Sequence, residues 1–182
     1  ALHLAVHTKR LRIPRLPAAL AGLRIAHLSD LHLTGEFDRR IYEYFVELTN
    51  SLQPDIVALT GDLVEKTPCW DWLPGTLGSL RAPHGTYFVL GNHDIRIDHE
   101  RTRQVLVASG LVNLGAECSR IDVRGVDVLL AGNELPWLGP PPRPEPLARP
   151  RKHDSFRILL AHTPDELPWA RRHDFDLMLA GH

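Results

Sequence analysis

Val89-Leu90-Gly91-Asn92-His93-Asp94 is an apolar strand end that is followed at once by an amide, an imidazole and a carboxylate. The preceding Tyr87-Phe88 extends the apolar run, and the glycine ends it. At average residue usage the tetrapeptide Gly-Asn-His-Asp should occur in roughly one chain in a thousand of this length. Functional side chains are usually mounted on loops that a rigid element positions. The stretch therefore predicts a strand that delivers chemically active groups into a loop.

Other predicted strands end in the same way, with a carboxylate or an imidazole just after an apolar run. In open α/β sheets, functional groups gather at the carboxyl ends of the strands. The side chains that follow these strands should therefore lie together in one site. The strands and their terminal residues are Leu23–Ser29 with Asp30 and His32, Asp55–Leu59 with Asp62, Phe156–Ala161 with His162, and Phe175–Ala180 with His182.

Helical and extended patterns alternate along the rest of the chain. Apolar residues at helical spacing predict an amphipathic helix from Phe37 to Leu52, and Pro54 closes it. We also expect helices near 73–80, 98–109 and 165–172, and strands at 2–13, 111–114, 117–123 and 126–132. The proline-rich segment Pro136–Pro150 predicts an extended, poorly packed surface loop. The fold class is α/β, and residues 1–182 are most simply one domain.

Composition excludes several classes of protein. The 182 residues carry a formal net charge of −1, so the chain has no electrostatic signature of a nucleic-acid-binding protein. Cys69 and Cys118 are the only cysteines, which argues against a disulfide framework. No apolar run approaches the roughly 20 residues that span a bilayer. The chain begins at Ala1 without a methionine, so membrane association through residues upstream of Ala1 stays open.

The collected side chains are carboxylates, imidazoles and one amide, with no thiolate. Mixed oxygen and nitrogen ligation suits Mn, Fe, Zn or Ni. The set is too large for one tetrahedral ion, and one carboxylate can bridge two metals about 3.5–4 Å apart. Such a pair activates a shared water and clamps the oxygens of an in-line displacement. The residues therefore point to phosphoryl transfer to water.

The ordered series Asp-x-His, Gly-Asp, Gly-Asn-His-Asp, His and Gly-His resembles the calcineurin-like metallophosphoesterases. The resemblance extends from residue 11 to residue 182. The phrases LPAALAGLRIAHLSDLHLTG and LLAHTPDELPWARRHDFDLMLAGH are similar to bacterial phosphodiesterases of this family, which are often associated with the membrane or envelope. The resemblance implies a four-layer αββα fold, a two-sheet β-sandwich flanked by helices. It implies a bacterial protein that is cytoplasmic or membrane- or envelope-associated.

The resemblance also implies a role for each residue of the motifs. The resemblance implies two divalent ions (Mn, Fe or Zn, with Mn favoured) and a phosphate-ester substrate that is attacked by metal-bound hydroxide. Asp30 and His32 would bind the first metal, Asp62 would bridge both, and Asn92, His162 and His182 would complete the second. His93 would contact the phosphate and help the leaving group depart, with Asp94 orienting it. Asn92 is a further candidate for contact with the phosphate. Arg96 is another because it is close to Asp94 in sequence, although a solvated arginine is an equally good interpretation.

The sequence departs from the family at its end. The family motif continues as Gly-His-x-His, and this sequence stops at His182. We therefore expect a domain truncated at its C-terminus. Its first metal would have only Asp30, His32 and Asp62 from protein and would bind weakly or not at all.

Alternative interpretations remain open at this point. The polar residues at strand ends could be caps and turn formers, which are common there. Trp70 and Trp72 could line the mouth of the site, although core packing is the simpler interpretation. A non-catalytic protein that keeps the sandwich as a binding scaffold is the main rival to an enzyme. A barrel amidohydrolase would need His-x-His in place of Asp30-x-His32.

Overall fold

The computed structural model describes residues 6–142 and 155–182. Within these ranges the strands are β1 (Ile25–Leu28), β2 (Ile56–Thr60), β3 (Thr86–Val89), β4 (Val112–Asn113), β5 (Cys118–Val123), β6 (Val126–Asn133), β7 (Ser155–Ala161) and β8 (Leu177–Ala180). They form two four-stranded sheets, ordered β1-β2-β3-β4 and β5-β6-β7-β8. The α-helices of the same ranges are α1 (Arg39–Ser51), α2 (His99–Ala108) and α3 (Leu167–Arg172).

The first sheet is parallel throughout and is covered on both faces. Along β2, Ile56 and Ala58 belong to a core that also contains residues of the second sheet. Val57 and Leu59 belong to the core on the other face, between the first sheet and helices α1 and α2. We call it the core beneath the first sheet. Because a strand that is buried on both faces needs no polar positions, the first four residues of β2, Ile56 to Leu59, form a continuous apolar run.

The second sheet begins with a hairpin and continues with parallel strands. β5 and β6 are antiparallel and joined by Arg124 and Gly125, with φ values of 55° and 79°, which suits a tight hairpin turn. β6, β7 and β8 are parallel. Leu130 packs towards the first sheet, and Leu129 packs with Trp169 of α3 on the outer face. The prediction of a two-sheet sandwich flanked by helices is confirmed.

The longer helices begin at aspartates that cap them. The Asp38 carboxylate accepts a hydrogen bond from the Arg40 N–H at 2.9 Å at the start of α1. The Asp98 carboxylate accepts one from the Arg101 N–H, also at 2.9 Å, at the start of α2. Each cap satisfies an N–H that has no partner within the helix.

Three predictions of local structure need correction or restriction. The predicted strand at 2–13 is wrong for 6–13, which form no strand, and residues 1–5 lie outside the described ranges. Alternating apolar residues do not make a strand without a neighbour to pair with. The helix predicted near 73–80 is replaced by two 3-10 helices, Thr67–Gly75 and Leu77–Ser79.

The third correction concerns the proline-rich segment, of which residues 143–150 lie outside the described part. Its first residues are not poorly packed, because Leu138 contacts the core beneath the first sheet and Pro142 is buried. Within the described ranges, no helix combines the length and apolarity that a bilayer crossing requires.

Candidate metal centre

The loops after β1, β2, β3, β7 and β8 meet at the carboxyl ends of the strands. The Asp30 N–H donates to the Gly61 carbonyl at 3.0 Å, and the Gly181 N–H donates to the His162 carbonyl at 3.0 Å. The His182 N–H donates to Asp30 Oδ2 at 3.1 Å, which ties the two sheets together. The structure thus places all the residues predicted from strand ends at one edge of the sandwich.

The glycines before the site residues allow these loops to approach each other closely. A Cβ atom on Gly61 would lie 2.6 Å from His162 Nδ1 and 2.7 Å from the Gly91 nitrogen. A Cβ atom on Gly91 would lie 2.7 Å from the Asp62 nitrogen and 2.8 Å from His162 Cδ2. Real Cβ atoms do not come so close to other heavy atoms, so only glycine fits at both positions. The motif glycines are therefore a packing requirement of the site.

Four of the predicted metal ligands have left-handed backbone conformations. Their φ values are 55° for Asp30, 44° for His32, 52° for Asp62 and 68° for His182. Residues other than glycine rarely adopt such values, and those that do cluster at functional sites. Half of the eight non-glycine residues that have positive φ in the described ranges therefore lie at the site.

The first group of ligand atoms is formed by Asp30, His32 and Asp62, whose donor atoms lie within 4.8 Å of one another. His32 Nε2 is 3.9 Å from Asp30 Oδ1 and 3.9 Å from Asp62 Oδ2. These separations are too long for hydrogen bonds. They suit donors of a common cation, since each metal–ligand bond is about 2.0–2.2 Å long.

The second group is formed by Asp62, His162 and His182, again within 4.8 Å. His162 Nε2 is 3.3 Å from Asp62 Oδ2 and 3.0 Å from Asn92 Oδ1, which brings the amide into the same group. His162 Nδ1 lies 2.7 Å from the Thr60 carbonyl, a contact that assigns the proton to Nδ1 and leaves Nε2 free to bind a metal. Asp62 Oδ2 faces both groups.

Burial and neighbouring groups act in opposite directions on the pKa values of the two most enclosed candidate ligands, Asp62 and His162. Burial alone would raise the pKa of Asp62, but the neighbouring His162 side chain and a hydrogen bond from the His93 N–H hold the pKa below its usual range. Burial alone would lower the pKa of His162, but Asp62 and the Thr60 carbonyl raise it. Both shifts stabilise a negative charge on Asp62 at the centre of the site.

His93 is held by a carboxylate that sequence reasoning missed. Its Nδ1 lies 2.6 Å from Glu65 Oε1, and the same oxygen lies 2.6 Å from His32 Nδ1. The two imidazole rings meet edge to face with centroids 4.8 Å apart. Arg96 Nη1 approaches His93 Nδ1 to 3.2 Å. Glu65 comes three residues after Asp62 in the same loop, and that spacing was the available signal.

Asp94 does not occupy the position that the resemblance implies for it. It is buried, with Oδ1 accepting hydrogen bonds from the Leu63 and Val64 N–H groups at 2.9 Å each, and Oδ2 from the Gly91 N–H at 2.8 Å. Burial raises the pKa of Asp94 to about 6, although these N–H groups favour the charged form. Asp94 thus braces the two loops against each other, and the carboxylate that contacts His93 is Glu65.

Trp137 is the second residue at the site that sequence reasoning missed. Its ring centroid lies 5.4 Å from that of His162 and 5.2 Å from that of His182. Trp70 and Trp72, which were considered for the mouth of the site, pack against the core beneath the first sheet instead. The sequence could have indicated Trp137 by its position, because it follows the end of β6 as the candidate ligands follow the ends of the other strands.

Comparison with known proteins agrees with this geometry. A family model described as calcineurin-like phosphoesterase matches residues 23–182. The chain belongs to this family. The metallophosphoesterases hydrolyse phosphoric esters and typically bind divalent metals, and the ligand groups described above fit that chemistry.

Individual relatives come from animals and from bacteria. The chain is 32% identical to a bovine (Bos taurus) protein named transmembrane protein with metallophosphoesterase domain, over 98% of this chain and 44% of that protein. It is 32% identical to an uncharacterized metallophosphoesterase of Helicobacter pylori, over 88% of this chain and 44% of that protein. It is 39% identical to the UDP-2,3-diacylglucosamine pyrophosphatase LpxG of Chlamydia muridarum, over 46% of this chain and 26% of that protein. The chain thus spans less than half the length of these relatives.

Proposed function

We propose that this metallophosphoesterase is a dinuclear, metal-dependent hydrolase of phosphodiesters or pyrophosphates. The observation that carries the proposal is the position of Asp62, whose Oδ2 faces His32 on one side and His162 on the other. A carboxylate between two ligand groups is the arrangement that a pair of cations needs. The LpxG relative, which is named as a pyrophosphatase, supports a diester or pyrophosphate over a monoester.

The first cation would be held by Asp30, His32 and Asp62, and the second by Asp62, Asn92, His162 and His182. Oxygen and imidazole donors without thiolate fit Mn, Fe or Zn, and we favour Mn. When bound, the two cations would lower the pKa of a water and neutralise charge on the phosphoryl oxygens. His32 and His162 are each oriented through Nδ1, by Glu65 and by the Thr60 carbonyl, so that Nε2 of each faces Asp62 Oδ2 and would be free to bind a cation.

His93 would supply the proton for the leaving group. Its Nδ1 is engaged by Glu65, which leaves Nε2 as the nitrogen that can donate to an ester oxygen. The exposed guanidinium of Arg96, beside the same ring, would bind a phosphoryl oxygen. Glu65 would orient His93 and His32 together, so that the proton donor keeps a fixed position relative to the first cation.

The proposal is tested by Asp62→Asn, assayed on bis(p-nitrophenyl) phosphate with Mn²⁺. Removing the shared charge should abolish metal-dependent hydrolysis. Asp71→Asn is the matched control, because Asp71 is exposed on the 3-10 helix Thr67–Gly75. The control should keep its metal-dependent hydrolysis. If Asp62→Asn kept it unchanged as well, the proposal would be refuted.

The alternative is a binding scaffold that keeps the fold without the chemistry. A melting temperature that rises with Mn²⁺ favours the metalloenzyme, because a ligand that binds only the native state stabilises it. A scaffold with no metal site should melt at the same temperature with and without Mn²⁺. The bovine relative is named as a transmembrane protein, and membrane association of this protein stays a proposal.

A further inference from the structure

Trp137 stands apart from the other three tryptophans in its surroundings. Trp70 and Trp72 pack against the core beneath the first sheet, and Trp169 belongs to the core beneath α3. Trp137 is partly exposed and belongs to none of the apolar clusters formed by the described residues. Its neighbours are instead the rings of His162 and His182. An apolar ring thus stands where the rest of the site is ionic.

The turn that carries Trp137 is fixed at several points. The N–H groups of Trp137 and Leu138 both donate to the Glu134 carbonyl, at 3.2 and 3.0 Å. Leu138 packs against the core beneath the first sheet. Glu134 is 3% exposed, and its carboxylate accepts the Leu90 N–H at 2.6 Å and pairs with Arg103. Because the backbone is already ordered, using the indole for binding costs little conformational entropy.

The surroundings of Trp137 favour one class of ligand group. The described residues place no apolar cluster around the indole, so an aliphatic chain laid on it would gain little from enclosure. A planar aromatic group can stack on the same face and gain from the alignment of the two rings. Its position beside His162 and His182 puts such a group next to a phosphate bound at the second ligand group.

We propose that Trp137 determines specificity, by stacking on a planar aromatic group that the substrate carries directly beside its phosphate, as an aryl or a nucleoside ester does. This inference rests on the proposed function, because it needs a phosphate ester bound between the two ligand groups. The indole does not take part in bond making. It selects among esters by the shape of the alcohol.

The test compares two probes of similar size in the Mn²⁺-loaded protein, methyl phenyl phosphate and methyl cyclohexyl phosphate, by titration calorimetry. The cyclohexyl ring is more apolar but not planar, so a preference for phenyl reports stacking. Wild type should bind the phenyl ester at least about fivefold more tightly, as stacking on an aromatic side chain implies. Trp137→Leu should lose that preference, and Trp137→Phe should keep part of it.

Trp70→Leu is the matched control and should keep the preference, because Trp70 donates to Thr102 Oγ1 at 3.0 Å away from the ligand groups. Equal affinity of wild type for the two esters, or a preference that survives in Trp137→Leu, would overturn the inference and leave the proposed function standing. Loss of bound Mn²⁺ in both Trp137 variants would give the indole a purely structural role and would also overturn it. Failure of wild type to bind either ester would overturn the proposed function, and this inference with it.

Discussion

Glu65 contacts both parts of the proposed site, because one of its oxygens lies beside His93, the proposed proton donor, and His32, a proposed metal ligand. That oxygen lies 2.6 Å from Nδ1 of His93 and 2.6 Å from Nδ1 of His32. Carboxylates that hold the far nitrogen of a ligating histidine fix its tautomer and its ring orientation. A change at Glu65 should therefore affect both metal affinity and rate.

We predict that Glu65→Gln weakens Mn²⁺ binding by about 10- to 100-fold, the usual effect of removing a partner of a metal ligand. The rate at saturating Mn²⁺ should fall as well, because His93 loses the carboxylate that orients it. Metal titration and hydrolysis of an aryl phosphodiester measure the two effects separately. Glu47→Gln, on the exposed face of α1, is the control. Unchanged metal affinity would show that Glu65 does not support His32.

His93 should behave differently from the ligands. We predict that His93→Ala retains its Mn²⁺ but loses rate by roughly 10²–10⁴-fold, the usual contribution of a general acid. Elemental analysis of the desalted protein and the hydrolysis assay give the two readouts. If the variant lost metal together with rate, His93 would be a ligand and its assignment as proton donor would be wrong.

At the scale of elements, the site depends on how closely the loops after β2 and β3 approach each other. We predict that Gly91→Ala costs about 1–3 kcal/mol of stability, as overpacking does, and prevents Mn²⁺ from raising the melting temperature. The added methyl would collide with the Asp62 backbone and His162. Gly110→Ala is the control for backbone strain without collision, because Gly110 has a φ of 93° with open space around it. This variant should also lose stability, but Mn²⁺ should still raise its melting temperature.

The ion pair between Arg103 of α2 and Glu134, which follows β6, supports the end of β3, because Glu134 also binds the Leu90 N–H. Arg103 is 15% exposed and Glu134 is 3% exposed in their side chains, and Glu134 also accepts the Leu90 N–H. We predict that Arg103→Met destabilises the protein by about 3–5 kcal/mol, because it leaves a buried carboxylate without its partner. Chemical denaturation measures the loss, and the double variant Arg103→Met/Glu134→Met should recover part of it. A loss below about 1 kcal/mol would mean that water replaces the guanidinium.

The elements that sequence reasoning predicted well are those whose signal is local. Each strand and the polar residue that follows it are adjacent in sequence, so the positions of Asp62 and His162 at strand ends could be predicted without knowing what they touch. Residues 6–13 were predicted wrongly because alternation does not reveal whether a pairing strand exists. Glu65 and Trp137 follow strand ends as the other site residues do, but their contacts with His32 and His162 cross the fold and cannot be predicted from that position alone.

For the whole molecule, the first group of ligand atoms comes from one sheet and the second group draws on both. Asp30, His32, Asp62 and Asn92 follow strands of the first sheet, whereas His162 and His182 follow strands of the second. Metal binding at the second group should therefore stabilise the packing of the sandwich as well as the loops. The two groups should differ in affinity, because the described residues offer three ligand side chains to the first and four to the second when Asn92 is included.

The most direct test of the shared carboxylate is a Mn²⁺ binding curve by equilibrium dialysis and elemental analysis, for wild type, Asp30→Asn and Asp62→Asn. Wild type should bind two ions per chain in two steps, the weaker step belonging to the first group. Asp30→Asn should lose only the weaker step, and Asp62→Asn should lose both. If Asp62→Asn bound Mn²⁺ as wild type does, this would contradict the central claim that Asp62 is shared by two metal sites.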